Sequence, residues 1–247
     1  MAISRSLTRL LAGLAASLAV SGVHAAGEPL RVVVDPTFPP MEYVENGKRA
    51  GFDIDIGEAL AKAMGRDIQW IDIDFKGLVP AVQAGRADLA LSAIYITEER
   101  RKVVDFSDPY YVGGLVVLTK ANGPIKTLKD LDGQKVSVQV GTKSVNFLKE
   151  HYPGVQRVEV EKNQEMFNLA QIGRAAAAVT GKPAAKLFAQ STKGDMVVLE
   201  EQLTNEEYGI AVSKRNPDLL RELNQALAKI KADGTYDAIV AKWFGTK

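Results

Sequence analysis

Apolar residues recur along this chain with two periods. Leu30–Val34 and Ile68–Ile73 are short runs of strand type, while Phe52–Met64 sets Ile56, Leu60, Ala63 and Met64 at helical spacing and stops near Gly65. Gly77–Gln83 predicts a short helix ending at Gly85, and Leu89–Ser92 reads as a buried strand. Strand, helix, strand, helix, strand in that order implies a mostly parallel sheet with crossover helices. Between the first strand and the first helix lies Asp35–Pro40, whose three prolines are expected to preclude regular ladder pairing and leave its side chains to line something.

A second series begins after Gly113-Gly114. Leu115–Thr119, Lys135–Val140, Arg157–Val160, Ala175–Thr180 and Met196–Leu199 are strand candidates, and Ser144–His151, Gln164–Gly173 and Lys182–Ala189 are helix candidates. Tyr208–Val212 is the last strand signal. Asn216-Pro217 then opens a long amphipathic helix with Leu220, Leu223, Leu227 and Ile230 on one face, ending at Gly234, and Tyr236–Trp243 closes the chain as a helix. The pattern is α/β throughout and falls into two units.

Composition adds the compartment. The chain has 247 residues, 46% of them hydrophobic and 25% charged, an ordinary globular balance that excludes disorder. Residues 1–25 read as a secretory signal: Arg5 and Arg9, an apolar run Leu10–Val20 too short for a permanent span, and Val23-His24-Ala25 as a cleavage site. Its removal leaves 29 basic against 30 acidic residues, so nothing electrostatic favours nucleic acid. With no cysteine there is no lipid-anchor residue and no disulfide, and a protein soluble outside the inner membrane is expected.

Candidate chemistry gathers around Asp88–Tyr111. Thr97 followed by Glu98, Glu99 and Arg100 reads as a capped helix start directly after the Leu89–Ser92 strand. A strand's carboxyl end meeting a helix amino terminus is where α/β sheets bind small anionic groups, and Arg100, one turn in, offers a planar fork suited to a carboxylate. The alternative is a surface arginine paired with Glu98 or Asp105. Gly141-Thr142-Lys143-Ser144 lies between another strand and helix, a backbone-donor anion site with Ser144 as candidate cap, or else a plain capped turn.

The Ile96-Thr97-x-x-Arg100 and Asp105-Phe106-Ser107-x-x-Tyr110-Tyr111 run resembles that of the periplasmic amino-acid-binding proteins that feed ABC importers, nearest the glutamine-binding and lysine/arginine/histidine-binding branches. Phe38-Pro39-Pro40-Met41-Glu42-Tyr43, Gly51-Phe52-Asp53-Ile54-Asp55, Asp74-Phe75-Lys76-Gly77, the Gly141–Ser144 turn, Tyr208–Val212 and Asp233–Gly245 match in the same order. The resemblance implies a two-lobed periplasmic binding protein fold, with 26–112 and 212–247 in lobe one and 113–211 in lobe two. Two crossover strands would form the hinge around a ligand cleft. It implies Phe38 and Phe75 sandwiching the ligand, Asp35 at the distal end of its side chain, and Ser92, Ala93 and Tyr95 supplying carbonyls, a hydroxyl and N–H groups. Arg100, with Thr142, Lys143 and Ser144, would hold the carboxylate.

Three positions depart from the family pattern. Tyr95 replaces a threonine or serine and predicts a smaller pocket. Gln139 stands where a glutamine-binding relative offers a lysine. In Gly173–Pro183 both expected aspartates are missing, replaced by Ala176 and Gly181, the latter being the family's partner for the ligand ammonium. An ammonium without that partner typically loses about 3 to 5 kcal/mol. With Arg100 and Lys143 positive against Asp35, the expected tilt is toward acidic or keto-acid ligands.

The expected function is a soluble periplasmic substrate-binding component of an amino-acid-type ABC transporter, taking a small amino acid or related carboxylate. Its partners would be that ligand and an inner-membrane permease, with no nucleic acid and no cofactor, and the protein a monomer. A dehydratase-like enzyme on the same scaffold is the alternative, with Glu42, Glu206 or Glu207 as acid, none of which the sequence separates from solvated surface acids. A binding protein with altered or lost amino-acid recognition is the third.

Overall fold

A computed structural model describes residues 27–245. The segment read as an export signal lies outside the described residues. Two five-stranded sheets, each with its own helices, make two lobes.

The first sheet runs Arg66–Asp72, Gly27–Val34, Leu89–Ala90, Ala211–Val212, Asp105–Phe106. Its first three strands are parallel and the Ala211–Val212 strand is antiparallel to both neighbours. Phe52–Ala63 covers one face, and Leu78–Gln83 packs Leu78, Ala81 and Val82 into a separate apolar cluster with Val33, Ala90, Ile94 and Phe106. The second sheet runs Gln156–Val160, Lys135–Gln139, Ala177–Gly181, Leu115–Lys120, Met196–Val198. Here the first three strands are again parallel, and Leu115–Lys120 is antiparallel to both neighbours. The helices Phe52–Ala63, Pro217–Ala232 and Thr235–Phe244 pack on one another, so the chain's end returns to the first lobe.

The expected strand Tyr208–Val212 is two strands belonging to different sheets. Glu207–Tyr208 pairs with Tyr111–Val112, forming the two-stranded connection between lobes, and Ala211–Val212 enters the first sheet. Gly209 lies between them, and a Cβ there would come within 2.8 Å of the Ile96 side chain, which would have to shift. Ala211, placed in the second lobe by the expected boundary, therefore pairs in the first sheet.

The Pro-rich stretch does pair, contrary to expectation. Thr37 and Phe38, the two residues between Pro36 and Pro39, bridge to Tyr43 and Glu42, because only the prolines lack the N–H that a ladder needs. Glu42–Glu45 and Lys48–Ala50 continue as a hairpin that the periodicity did not suggest. Its turn was legible in Asn46-Gly47, both at positive φ (51° and 74°), the type I′ arrangement.

Candidate ligand site between the lobes

Parallel strands of both sheets end facing one another. Val34 leads to Asp35 and Ala90 to Ser92 in the first lobe; Gln139 and Gly181 end strands in the second. Between them lies a cavity lined from the first lobe by Phe38, Glu42, Phe75, Ser92, Ala93 and Tyr95, and across the cleft by Gln139, Thr142, Ser144, Asn163, Met166, Val179, Thr180 and Gly181, with Leu115 and Tyr208 from the crossover region. The space is narrow. About 30 Å³ is open to the centres of water molecules, room for roughly two waters.

Of the residues expected at the site, Phe38, Phe75, Ser92, Ala93, Tyr95, Gln139, Thr142, Ser144 and Gly181 line this cavity, while Asp35, Arg100 and Lys143 stand beside it. Thr97 caps its short helix as expected, its Oγ1 accepting from the Arg100 N–H at 3.2 Å. The Arg100 side chain then crosses the cleft mouth. One guanidinium nitrogen donates to the Tyr95 carbonyl at 2.8 Å and another to the Gly141 carbonyl of the opposite lobe at 3.2 Å, with the guanidinium 5.6 Å from the Phe75 ring. Desolvation pushes its pKa down to about 10 against the pull of Glu99. Neither Glu98 nor Asp105 pairs with it; Asp105 is met by Lys214 at 3.7 Å.

Lys143 forms an ion pair with Glu206 and faces the outer groove that Arg100 also lines. Ser144 is not the cap. Thr142 occupies that position, and its hydroxyl instead donates to the Gln139 carbonyl at 2.7 Å. Asp35 is buried, accepting from Thr37 at 3.0 Å and, across the cleft, from Gln139 at 2.7 Å; burial raises its pKa against the pull of Lys162 3.8 Å away. The anionic tilt expected from Arg100 and Lys143 therefore loses its basis inside the cavity, whose lining holds no basic side chain.

Gly181 has a specific reason to be glycine. A Cβ there would come within 2.4 Å of the Tyr208 hydroxyl and 3.1 Å of Phe38. Tyr208 is fully buried, its ring 4.6 Å from that of Tyr95 and its hydroxyl donating to the Tyr95 oxygen at 3.2 Å. The two phenols thus fill the space into which an acid at position 181 would project, and the small pocket that Tyr95 predicts is completed by Tyr208, which the sequence did not single out for the site.

Glu42, named from the sequence only as an acid for the dehydratase alternative, was not expected in the ligand site, since nothing in the sequence separates it from a surface acid. It is 1% exposed and lines the cavity. Gly51 explains its place: there φ is 132° and a Cβ would meet the Met41 carbonyl at 2.2 Å, so only glycine lets the Pro-rich stretch lie against the helix start. The Phe52 and Asp53 N–H groups then donate to the Pro40 and Met41 carbonyls, at 2.9 and 2.8 Å. That contact sets Glu42 beside Asp53. Asp53 accepts from Tyr110 at 2.9 and 3.0 Å and from the Ala93 N–H at 2.6 Å; Glu42 accepts from Ser92 at 2.7 Å. Ala93 holds a left-handed φ of 46° to deliver that N–H, a strain of roughly 1 to 3 kcal/mol. Burial, then the neighbouring Asp53, holds the Glu42 carboxyl well above the usual range, and burial raises Asp53 to about 7. Burial thus favours the protonated form of both carboxyls.

Residues 30–246 match the family of bacterial extracellular solute-binding proteins, family 3, and the chain belongs to it. Among relatives, it is 35% identical over 241 residues to the ABC transporter arginine-binding protein 1 of Escherichia coli strain K12, covering 95% of this chain and 98% of that one. Its fold is that of the two-lobed periplasmic amino-acid-binding proteins. An ancestral arginine-binding protein bound to arginine superposes with a TM-score of 0.84 at 42% identity over 88% of this chain and 98% of the other. The ancestral amino-acid-binding protein described as a precursor of cyclohexadienyl dehydratase superposes at 0.81 and 40% identity, over 87% and 95%.

Proposed function

We propose that this protein captures an amino acid between its lobes and delivers it to an inner-membrane ABC permease, as a soluble periplasmic monomer released from its signal at Ala26. The observation that carries this reading is the narrow cavity lined by both lobes at the carboxyl ends of their parallel strands, with Phe38 and Phe75 in its wall, in a chain of the solute-binding family. The division into 26–112 with 212–247 and 113–211 is supported by sheet membership, apart from Ala211.

Arg100 is the anchor for the ligand carboxylate. Its guanidinium donates to two carbonyls without an ion-pair contact to a carboxylate, and one of them, Gly141, belongs to the other lobe, so a carboxylate entering between the lobes replaces a dipole with a full charge. Calorimetry over the protein amino acids tests the reading. At least one should bind without being consumed, and Arg100→Ala should weaken it by about a hundredfold or more while leaving the melting temperature of the unliganded protein within a few degrees. Unchanged affinity overturns the anchor; no binding by any amino acid overturns the function.

A dehydratase is the second reading. Glu42 favours it, because a buried carboxyl kept protonated in a substrate cavity meets the requirement for a general acid. Loss of a hydroxylated, cyclohexadienyl substrate on incubation would establish it over transport.

A further inference from the structure

The second lobe carries a basic pocket at the pole away from the cleft. It has a volume of about 370 Å³ and is lined by Lys120, Lys135 and Arg174, with Gln134, Gln156 and Ala176 among the residues between them. Its place follows from the sheet. Lys135 starts the strand whose last residue, Gln139, lines the cavity between the lobes; Ala176 directly precedes the parallel strand that ends at Gly181; and Lys120 ends the antiparallel strand that begins at Leu115. Four or five residues at about 3.3 Å each put the pocket roughly 13 to 17 Å from that cavity, and the two share no lining residue. No acid lines the pocket. Among the described residues none of its three cations has an ion-pair partner, whereas Lys76, Lys143, Lys162 and Lys242 are all paired. Nearby, Asp132 packs against Gly154, and Lys126 adds a further cation, its Nζ donating to the Ala121 carbonyl at 2.6 Å. Ala176 is the position that decides the charge: it stands where the sequence pattern led to the expectation of an aspartate, and a carboxylate there would sit among the three cations.

We propose that this pocket is a second binding site, independent of the amino-acid cleft, for a phosphoryl group, either free phosphate or the headgroup of an anionic lipid, and that alanine at position 176 leaves it open to anions. Three cations around one concavity suit a group that spreads negative charge over several acceptor oxygens. The Arg174 guanidinium offers a planar fork of donors and the two lysines act as point charges. Gln134 and Gln156 add neutral amide groups to the wall. An anion held at this pole leaves the cavity between the lobes unobstructed, so the two sites fill independently.

The test uses the mature protein at fixed ionic strength. Titration calorimetry with inorganic phosphate reads the free anion, and co-sedimentation with vesicles of phosphatidylglycerol in phosphatidylcholine, against phosphatidylcholine alone, reads the lipid. A unit charge about 4 Å from the anion in water changes affinity roughly fivefold for each negative charge. Lys135→Ala and Arg174→Ala should therefore each weaken binding about fivefold or more. Ala176→Asp, which supplies the acid, should weaken it about tenfold or more while leaving the melting temperature within a few degrees. Arg100→Ala, which alters only the cleft, should leave it unchanged. Phosphate binding with these responses assigns the site to the free anion, and binding to phosphatidylglycerol vesicles alone with the same responses assigns it to the headgroup. Binding of neither, binding indifferent to all three pocket variants, or binding lost in Arg100→Ala would each overturn the proposal.

Discussion

Asp53 shows how one residue's environment becomes a property of the whole protein. Its carboxyl sits in the first turn of a helix, accepts from Tyr110 and Ala93, and is still raised from 3.8 to about 7, because burial outweighs those bonds. The folded protein therefore holds a proton that the unfolded chain releases. A raised folded value gives stability that is complete below the unfolded value and lost as pH climbs through the folded one, so this site favours folding near pH 4 and progressively less toward pH 7. The expected outcome is a melting temperature that declines between about pH 4 and pH 7, and a visibly shallower decline in Asp53→Asn. A parallel slope in the two proteins counts against the assignment. Gly181 and Gly51 make the same point sterically: a Cβ would come within 2.4 Å of the Tyr208 hydroxyl at the first and 2.2 Å of the Met41 carbonyl at the second.

At the level of elements, the last two helices brace the helix that carries Asp53. Pro217–Ala232 begins with Asn216, whose side chain accepts from the Leu219 N–H at 3.1 Å, and buries Leu219, Leu223, Ala226, Leu227 and Ile230. It packs on Phe52–Ala63, the helix that carries Asp53. Leu223 is fully buried, and truncation to alanine removes its methyl groups and leaves a cavity, a loss of about 2 to 5 kcal/mol. Chemical denaturation of Leu223→Ala should show that loss as a lower midpoint with an unchanged slope. An effect below about 1 kcal/mol would mean that the final helices contribute little to the first lobe.

On the scale of the whole molecule, the two lobes are held together by pairs that cross the cleft. Lys76 meets Glu161 and Lys162 meets Asp74, each at 2.6 Å and each with about half its side-chain surface in water, and Asn146 donates to Glu99 at 2.7 Å. Exposed pairs of this kind contribute about 0.2 to 1 kcal/mol each and are screened by salt. The buried crossings, Gln139 to Asp35 and Asn163 to Thr37, are neutral donors that salt does not reach. Raising ionic strength from about 0.05 to 0.5 M should therefore increase the radius of gyration of the unliganded protein in small-angle scattering, and a saturating bound amino acid should reverse the increase. A radius insensitive to both would show lobes fixed in one arrangement.

What the amino-acid pattern determined by itself was the frame. Helical and strand periods report which face of an element is apolar, and that local property placed both α/β series, the Thr97 cap and the long helix after Asn216. Ordered motifs identified most of the cavity wall, from Phe38 to Gly181. What only the tertiary structure decided were facts about pairs of distant residues. Glu42 reads as a surface acid until Gly51 seats it against Asp53; Tyr208 reads as a strand residue until its hydroxyl meets Tyr95 and closes the space at Gly181. Asn163 and Met166 open an ordinary helix and gave no signal. Lys143 looked like a free cation and is paired with Glu206 from the far end of its lobe. Periodicity encodes what each residue prefers to face. Burial, shifted pKa values and ion pairs depend on which partner the folded chain brings there, and that partner lies from about ten to more than a hundred residues away.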